Sequence, residues 1–234
     1  MSANQNPMQS GTMYIPGAKA RHPFRRLPGL YAQAITQPTP RTFARVAEYA
    51  NWRLIWPQIL VLLLLPLILG GLRLVFKDTS SGVDTHKNII FGTIDVLTVG
   101  VSVAATIIKA FFVPIIFFIG ATLQYLFARL FGGRGQYTEQ CFCILIYQVP
   151  LALIGFIAIA VFIILHISTL FLSPITSIVL FCYGVILNIA AIMGIHRLDQ
   201  NRATMAVIIP YVLGVLAACA IVTAIAHWFL NTIH

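Results

Sequence analysis

Acidic residues are scarce in this chain. Six Asp and Glu stand among 234 residues, against fifteen Lys and Arg. None of the six falls within its long apolar runs. A buried carboxylate acting as general base therefore has no candidate there. Charged residues of either sign make up only 9%, where a soluble domain carries about a quarter. Catalytic signatures are also missing. The chain has no Gly-x-Ser-x-Gly elbow and no His-Glu-x-x-His pair, so neither a serine nucleophile nor a helical zinc site is indicated. The glycine-rich Phe131-Gly132-Gly133-Arg134-Gly135-Gln136 lacks the Lys-Ser/Thr of a phosphate loop. His166, His196 and His227 fall at different ends of the apolar runs, which excludes one shared metal site. Cys141, Cys143, Cys182 and Cys219 lie in or beside those runs and read as small buried apolar side chains. No cofactor, metal or catalytic residue is indicated, and the expectation is a protein that is not an enzyme. A net charge of +9 has no folded basic domain to carry it, so nucleic acid is not an indicated partner.

What is present is hydrophobic length. Five runs, at 56–76, 110–131, 141–166, 174–195 and 206–230, are long enough to cross a bilayer, since about 20 apolar residues of helix match about 30 Å of hydrocarbon. Backbone polar groups find no water there, so each run is expected to be helical. The fold class predicted is an all-α integral membrane protein of five transmembrane helices. No cleavable signal peptide is expected, because the first run begins beyond residue 50. Lys19, Arg21, Arg25, Arg26, Arg41, Arg45, Arg53, Arg129, Arg134, Arg197 and Arg202 share one side of a five-span topology. Arg73, Lys77, Lys87 and Lys109 fall on the other. The positive-inside rule then puts the N-terminus in the cytosol and the C-terminus outside.

Three domains are expected: a flexible basic cytosolic tail at 1–38, a juxtamembrane amphipathic helix at 39–55, and the membrane domain at 56–230. Thr39-Pro40 reads as N-cap and first helical residue. Phe43, Val46, Ala47, Ala50 and Leu54 then form an apolar stripe suited to a membrane surface. Trp52 and Trp56 read as interfacial anchors. Residues 89–108 are ambiguous. Asp95, Thr98, Ser102, Thr106 and Lys109 form a polar stripe opposite Ile90, Ile94, Leu97, Val101, Ala104 and Ile108. The segment either lies at the outer interface or forms a sixth span, and a sixth span would reverse the charge bias. Pro66, Pro114, Pro150 and Pro210 can kink four of the runs.

Polar residues inside apolar runs call for a reason. Gln124, Gln148 and Asn188 each lie seven residues from the cytosolic end of their run, about 10 Å of helix. With Tyr147 and Tyr211 nearby in depth, they predict a polar layer among the second to fifth spans. That layer is either a pocket open to the cytosol or a set of interhelical hydrogen bonds worth about 0.6 kcal/mol each. The turns holding Gly132, Gly133, Arg134 and Gly135, and His196, Arg197 and Arg202, are the expected cytosolic contact face, where membrane lipids or a protein partner would be met.

Several motifs in order resemble bacterial members of the Ypt-interacting-protein (Yip) family: Pro40-Arg41-Thr42-Phe43, then Phe131-Gly132-Gly133-Arg134-Gly135, then Tyr147-Gln148-Val149-Pro150, then Arg202-Ala203. The resemblance covers residues 40–230. It implies a five-span protein with a cytosolic N-terminus and a scaffold or membrane-organisation role of trafficking type. Eukaryotic members bind lipidated Rab-type GTPases at Golgi and ER membranes. This chain lacks their acidic Tyr-Gly-Pro-bearing segment, and Ile146 stands where the family has Gly before Tyr147. Both departures argue against a GTPase partner. The implied location is a prokaryotic plasma membrane, with Golgi or ER as the alternative. The competing function is a small-solute or lipid transporter using the polar layer.

Overall fold

A computed structural model describes residues 23–80, 89–165 and 169–233. Lys19, Arg21, the 81–88 part of the polar loop, and His166 lie outside the described residues. Within them, every long element is an α-helix. A 3-10 turn, Pro23–Arg26, leads into α1 (Leu27–Thr36), α2 (Pro40–Ala47), α3 (Trp52–Ser80), α4 (Ile89–Leu130), α5 (Tyr137–Ile164), α6 (Thr169–His196) and α7 (Gln200–Ile233).

Among the described residues, five helices are long and apolar enough to cross a membrane, over Trp52–Leu72, Val103–Leu130, Tyr137–Ile164, Leu172–His196 and Gln200–Ile225. They coincide with the five runs expected from sequence. The ambiguous residues 89–108 are the first half of α4, continuous with the second span. At 42 residues, α4 is about 63 Å long, so residues 89–102 extend the helix beyond the span at Val103–Leu130. Pro66, Pro114, Pro150 and Pro210 all sit inside continuous helices.

The N-terminal region departs from expectation. Residues expected to be a tail contain α1, whose Leu27 and Ala34 are buried. The single amphipathic helix expected at 39–55 is instead α2, a short turn, and the start of α3. Thr39 does cap α2, its hydroxyl oxygen accepting from the Thr42 N–H at 3.2 Å. The apolar face of α2 does not rest on lipid. Phe43, Val46 and Ala47 are buried because α2 packs on α6 and α5. Gly194 of α6 makes this possible. A methyl there would overlap the Pro40 carbonyl oxygen and press on the Ala44 nitrogen. The two backbones thus cross with no side chain between them.

α5 is the central helix, touching α1, α2, α3, α4 and α6, while α7 packs on α4 and α6. A larger core joins α1, α2, α3, α5 and α6 with part of α4. A smaller one joins Ala128 of α4, Ile192 of α6, and Ala203, Ala206 and Val207 of α7. Beyond the buried Pro210, every residue of 212–225 in α7 is exposed. Cys141 and Cys143 are buried as expected, but Cys182 and Cys219 are exposed. They occupy outward faces of apolar helices.

Candidate functional site

The ends of α4 and α6 meet the starts of α5 and α7 at one end of the bundle, here termed the basic end. Its geometry begins with how α4 stops. Gly132 has φ +89°, and its N–H donates to Arg129 O at 3.0 Å while the Gly133 N–H donates to Ala128 O at 2.8 Å. These paired bonds are a Schellman ending, which needs a left-handed residue best supplied by glycine. Glu139 then caps α5, its carboxylate accepting from the Gln136 N–H at 2.9 Å.

The turn is held from behind by His196. A methyl on Gly133 would lie 2.7 Å from His196 Nδ1, and one on Gly135 would lie 2.5 Å from Ile195 Cγ2. The Arg134 N–H donates to the His196 carbonyl at 3.3 Å. His196 is buried, and its Nε2 is 2.9 Å from Gln140 Oε1. Gln140 Nε2 donates to Ala121 O at 2.9 Å. Gln140 has thus committed its amide protons to α4, so its oxygen must accept and His196 Nε2 must carry the proton. One amide and one imidazole tie α4, α5 and α6 together. Arg129 closes the turn from above, donating to Tyr125 Oη at 3.0 Å and to Gly133 O at 3.3 Å.

The contact residues expected from sequence therefore divide. Gly133, Gly135 and His196 are brought together but buried. Gly132, Arg134, Arg197 and Arg202 are exposed over them. Arg197 has φ +54°, a left-handed value adopted at the end of α6 without glycine. Arg202 pairs with Asp199 at 3.4 Å, both exposed. Arg41 and Arg45 of α2 and Arg53 are exposed as well. Sequence reasoning placed Gln140 just outside a span and did not single it out. Its signal was a lone Gln one residue before an apolar run. Gln58 of α3 was also missed; it is buried and donates to Leu54 O at 2.8 Å.

The expected polar layer is only partly assembled. Asn188 Nδ2 donates to Tyr211 Oη at 3.4 Å, and Gln124 is buried on the inward face of α4. Tyr147 is buried edge-on to Phe43 of α2 with ring centroids 6.3 Å apart, and it interacts electrostatically with Tyr211. Gln148 is exposed. It follows Tyr147 by about 100° of helix rotation, and with Tyr147 directed inward it points out of the bundle. We expect Gln148→Ala to change thermal stability by less than about 0.5 kcal/mol. A larger loss in a detergent melting curve would show that Gln148 makes a contact within the bundle.

A profile of the Yip1 domain matches residues 32–222, most of the chain. No curated protein and no solved structure matches it.

Proposed function

This chain belongs to the Yip1-domain family, and on that premise we propose that it is a non-enzymatic membrane scaffold whose basic end faces the cytosol and receives a partner there. The observation that carries this is the interlocked pair of turns. Buried glycines and His196 fix the backbone beneath Arg134 and Arg197. A surface fixed in advance loses less conformational freedom on binding. Arginine suits the task, since its planar fork meets carboxylate or phosphate with two parallel hydrogen bonds.

The positive-inside bias supports the cytosolic placement. The prokaryotic plasma membrane remains the proposed location. Transport through the predicted polar layer has weaker support, because Gln148 points away from it.

The test is crosslinking in native membranes from a photoreactive residue at exposed Gln200, the first residue of α7. We expect a discrete adduct on the cytosolic side, lost when Arg134 and Arg197 are both replaced by Glu. No adduct above that seen with the probe at exposed Ile221, on the far half of α7, would count against the scaffold reading.

A further inference from the structure

The α4–α6–α7 junction contains a second feature, separate from the arginine face. Ala128, Ile192 and Val207 belong to one buried apolar cluster. One helical turn farther from the basic end, the same three helices present Gln124, Asn188 and Tyr211. Asn188 and Tyr211 are hydrogen-bonded. Gln124 is 6% exposed and Asn188 1%. Gln124 Oε1 and Asn188 Oδ1 have no donor among the described residues. A buried acceptor left unpaired is unfavourable. Two at one junction call for a donor that the described residues do not supply.

We infer that this junction is a binding site for a small, uncharged lipid headgroup that carries a hydroxyl, of the diacylglycerol type. Three observations select that class. Both unpaired groups are acceptors, so the ligand must donate. No Lys, Arg, Asp or Glu lies within one turn of Gln124, Asn188 or Tyr211 in its helix, so nothing there compensates a phosphate or an ammonium, and a charge at that depth is costly. The open side is hydrocarbon. Tyr211 is 38% exposed, and Phe181, Val212 and Val215 beside it are more so. Phe181 lies edge-on to the Tyr211 ring at 5.7 Å.

Depth agrees. Gln124, Asn188 and Tyr211 lie six, eight and eleven residues from the basic-end limits of their helices, about 9–16 Å inward. A hydroxyl can be drawn below the phosphate level with far less penalty than a charged headgroup. In the site, the ligand hydroxyl donates to one amide oxygen and can accept from the Tyr211 hydroxyl. The acyl chains leave past Val212 and Val215.

The inference is independent of the scaffold reading and fails separately from it. The test uses the purified full chain in phosphatidylcholine nanodiscs, titrated with 1,2-dioleoylglycerol, with its 3-acetyl derivative, and with glycerol alone. A bound ligand raises Tm by mass action. Dioleoylglycerol should give a saturable rise, and the other two none. At least one of Asn188→Leu and Gln124→Leu should abolish the rise; Gln124→Leu removes an unpaired acceptor and should not lower the lipid-free Tm, whereas Asn188→Leu also removes the bond to Tyr211. Tyr211→Phe keeps the ring and the fold, and should weaken binding by about tenfold, the effect of one hydrogen bond. An equal rise with the acetylated lipid would overturn the proposal. So would a rise with glycerol, which would mark a water-borne solute, or wild-type affinity in both Leu variants. Absence of any rise with dioleoylglycerol would mean that water alone serves these oxygens, and would also overturn it.

Discussion

Replacing Gly194 with valine is expected to release α2 from the bundle and open the backbone at Arg41 and Arg45 to trypsin. The reason is steric. Even a methyl at position 194 overlaps the Pro40 carbonyl oxygen, and its next neighbours are the Pro40 carbonyl carbon and the Ala44 nitrogen. All three are backbone atoms, so no rotamer change can make room. Overpacking typically costs about 1–3 kcal/mol, and loss of the docked face adds the exposure of Phe43, worth about 2 kcal/mol. The docked state has few polar ties to resist release. Tyr183 Oη donates to the Ile35 carbonyl, Cys143 Sγ lies 3.7 Å from the Phe43 carbonyl, and Arg26 sits over the Tyr49 ring at 5.8 Å. Limited trypsin digestion in detergent, followed over time, measures the outcome. Gly214→Ala is the control, since nothing lies within 4 Å of its added methyl. Equal cleavage rates for Gly194→Val and wild type would show that α2 is not held at this crossing.

His196→Ala should be the most destabilising single change at the basic end, by about 3 kcal/mol. It removes a buried ring, leaving a cavity behind Gly133 and Gly135. It also leaves Gln140 Oε1 without its donor, and a buried unpaired acceptor adds its own penalty. The two effects separate in a double-mutant cycle with Gln140→Leu. When both polar partners are gone, neither is left unsatisfied, so His196→Ala with Gln140→Leu should lose less than the sum of the single changes. Strict additivity in urea or thermal unfolding would show that the imidazole and amide are not coupled. The arginines above them give a useful contrast. Asp199→Asn removes an exposed pair and should leave the melting point unchanged, because such pairs contribute little.

The span pattern was readable because it depends on length and composition alone. Five apolar runs could be counted, and α3 to α7 contain them. Facing direction was harder. Counting residues gave Gln124, Gln148 and Asn188 a common depth, but depth does not say which side of a helix a residue occupies. On the central helix α5, residues 140–147 and Val149 are all buried and Gln148 alone among them is exposed, a facing that depth does not reveal. α1 was unreadable for a different reason. Gly29 weakens its local helical preference, and the helix packs against α5. The meeting of Gly133 with His196, 63 positions apart in sequence, could not be derived from either turn alone. Both turns were expected on the cytosolic face, and the structure brings them together at one end of the bundle.

α7 has two mechanically different halves. Its base is packed on α4 and α6 through Ala203, Ala206 and Val207, and residues 212–225 are exposed all around. Between them, Pro210 has no N–H to return to the carbonyl of residue 206, which softens the helix there. Bilayers differ in thickness, and helices meet the difference by tilting. Over residues 212–225 a tilt disturbs no buried side chain, so this stretch can follow a thinner or thicker membrane about Pro210. The hinge thereby insulates the arginine-bearing end from the lipid on the opposite side.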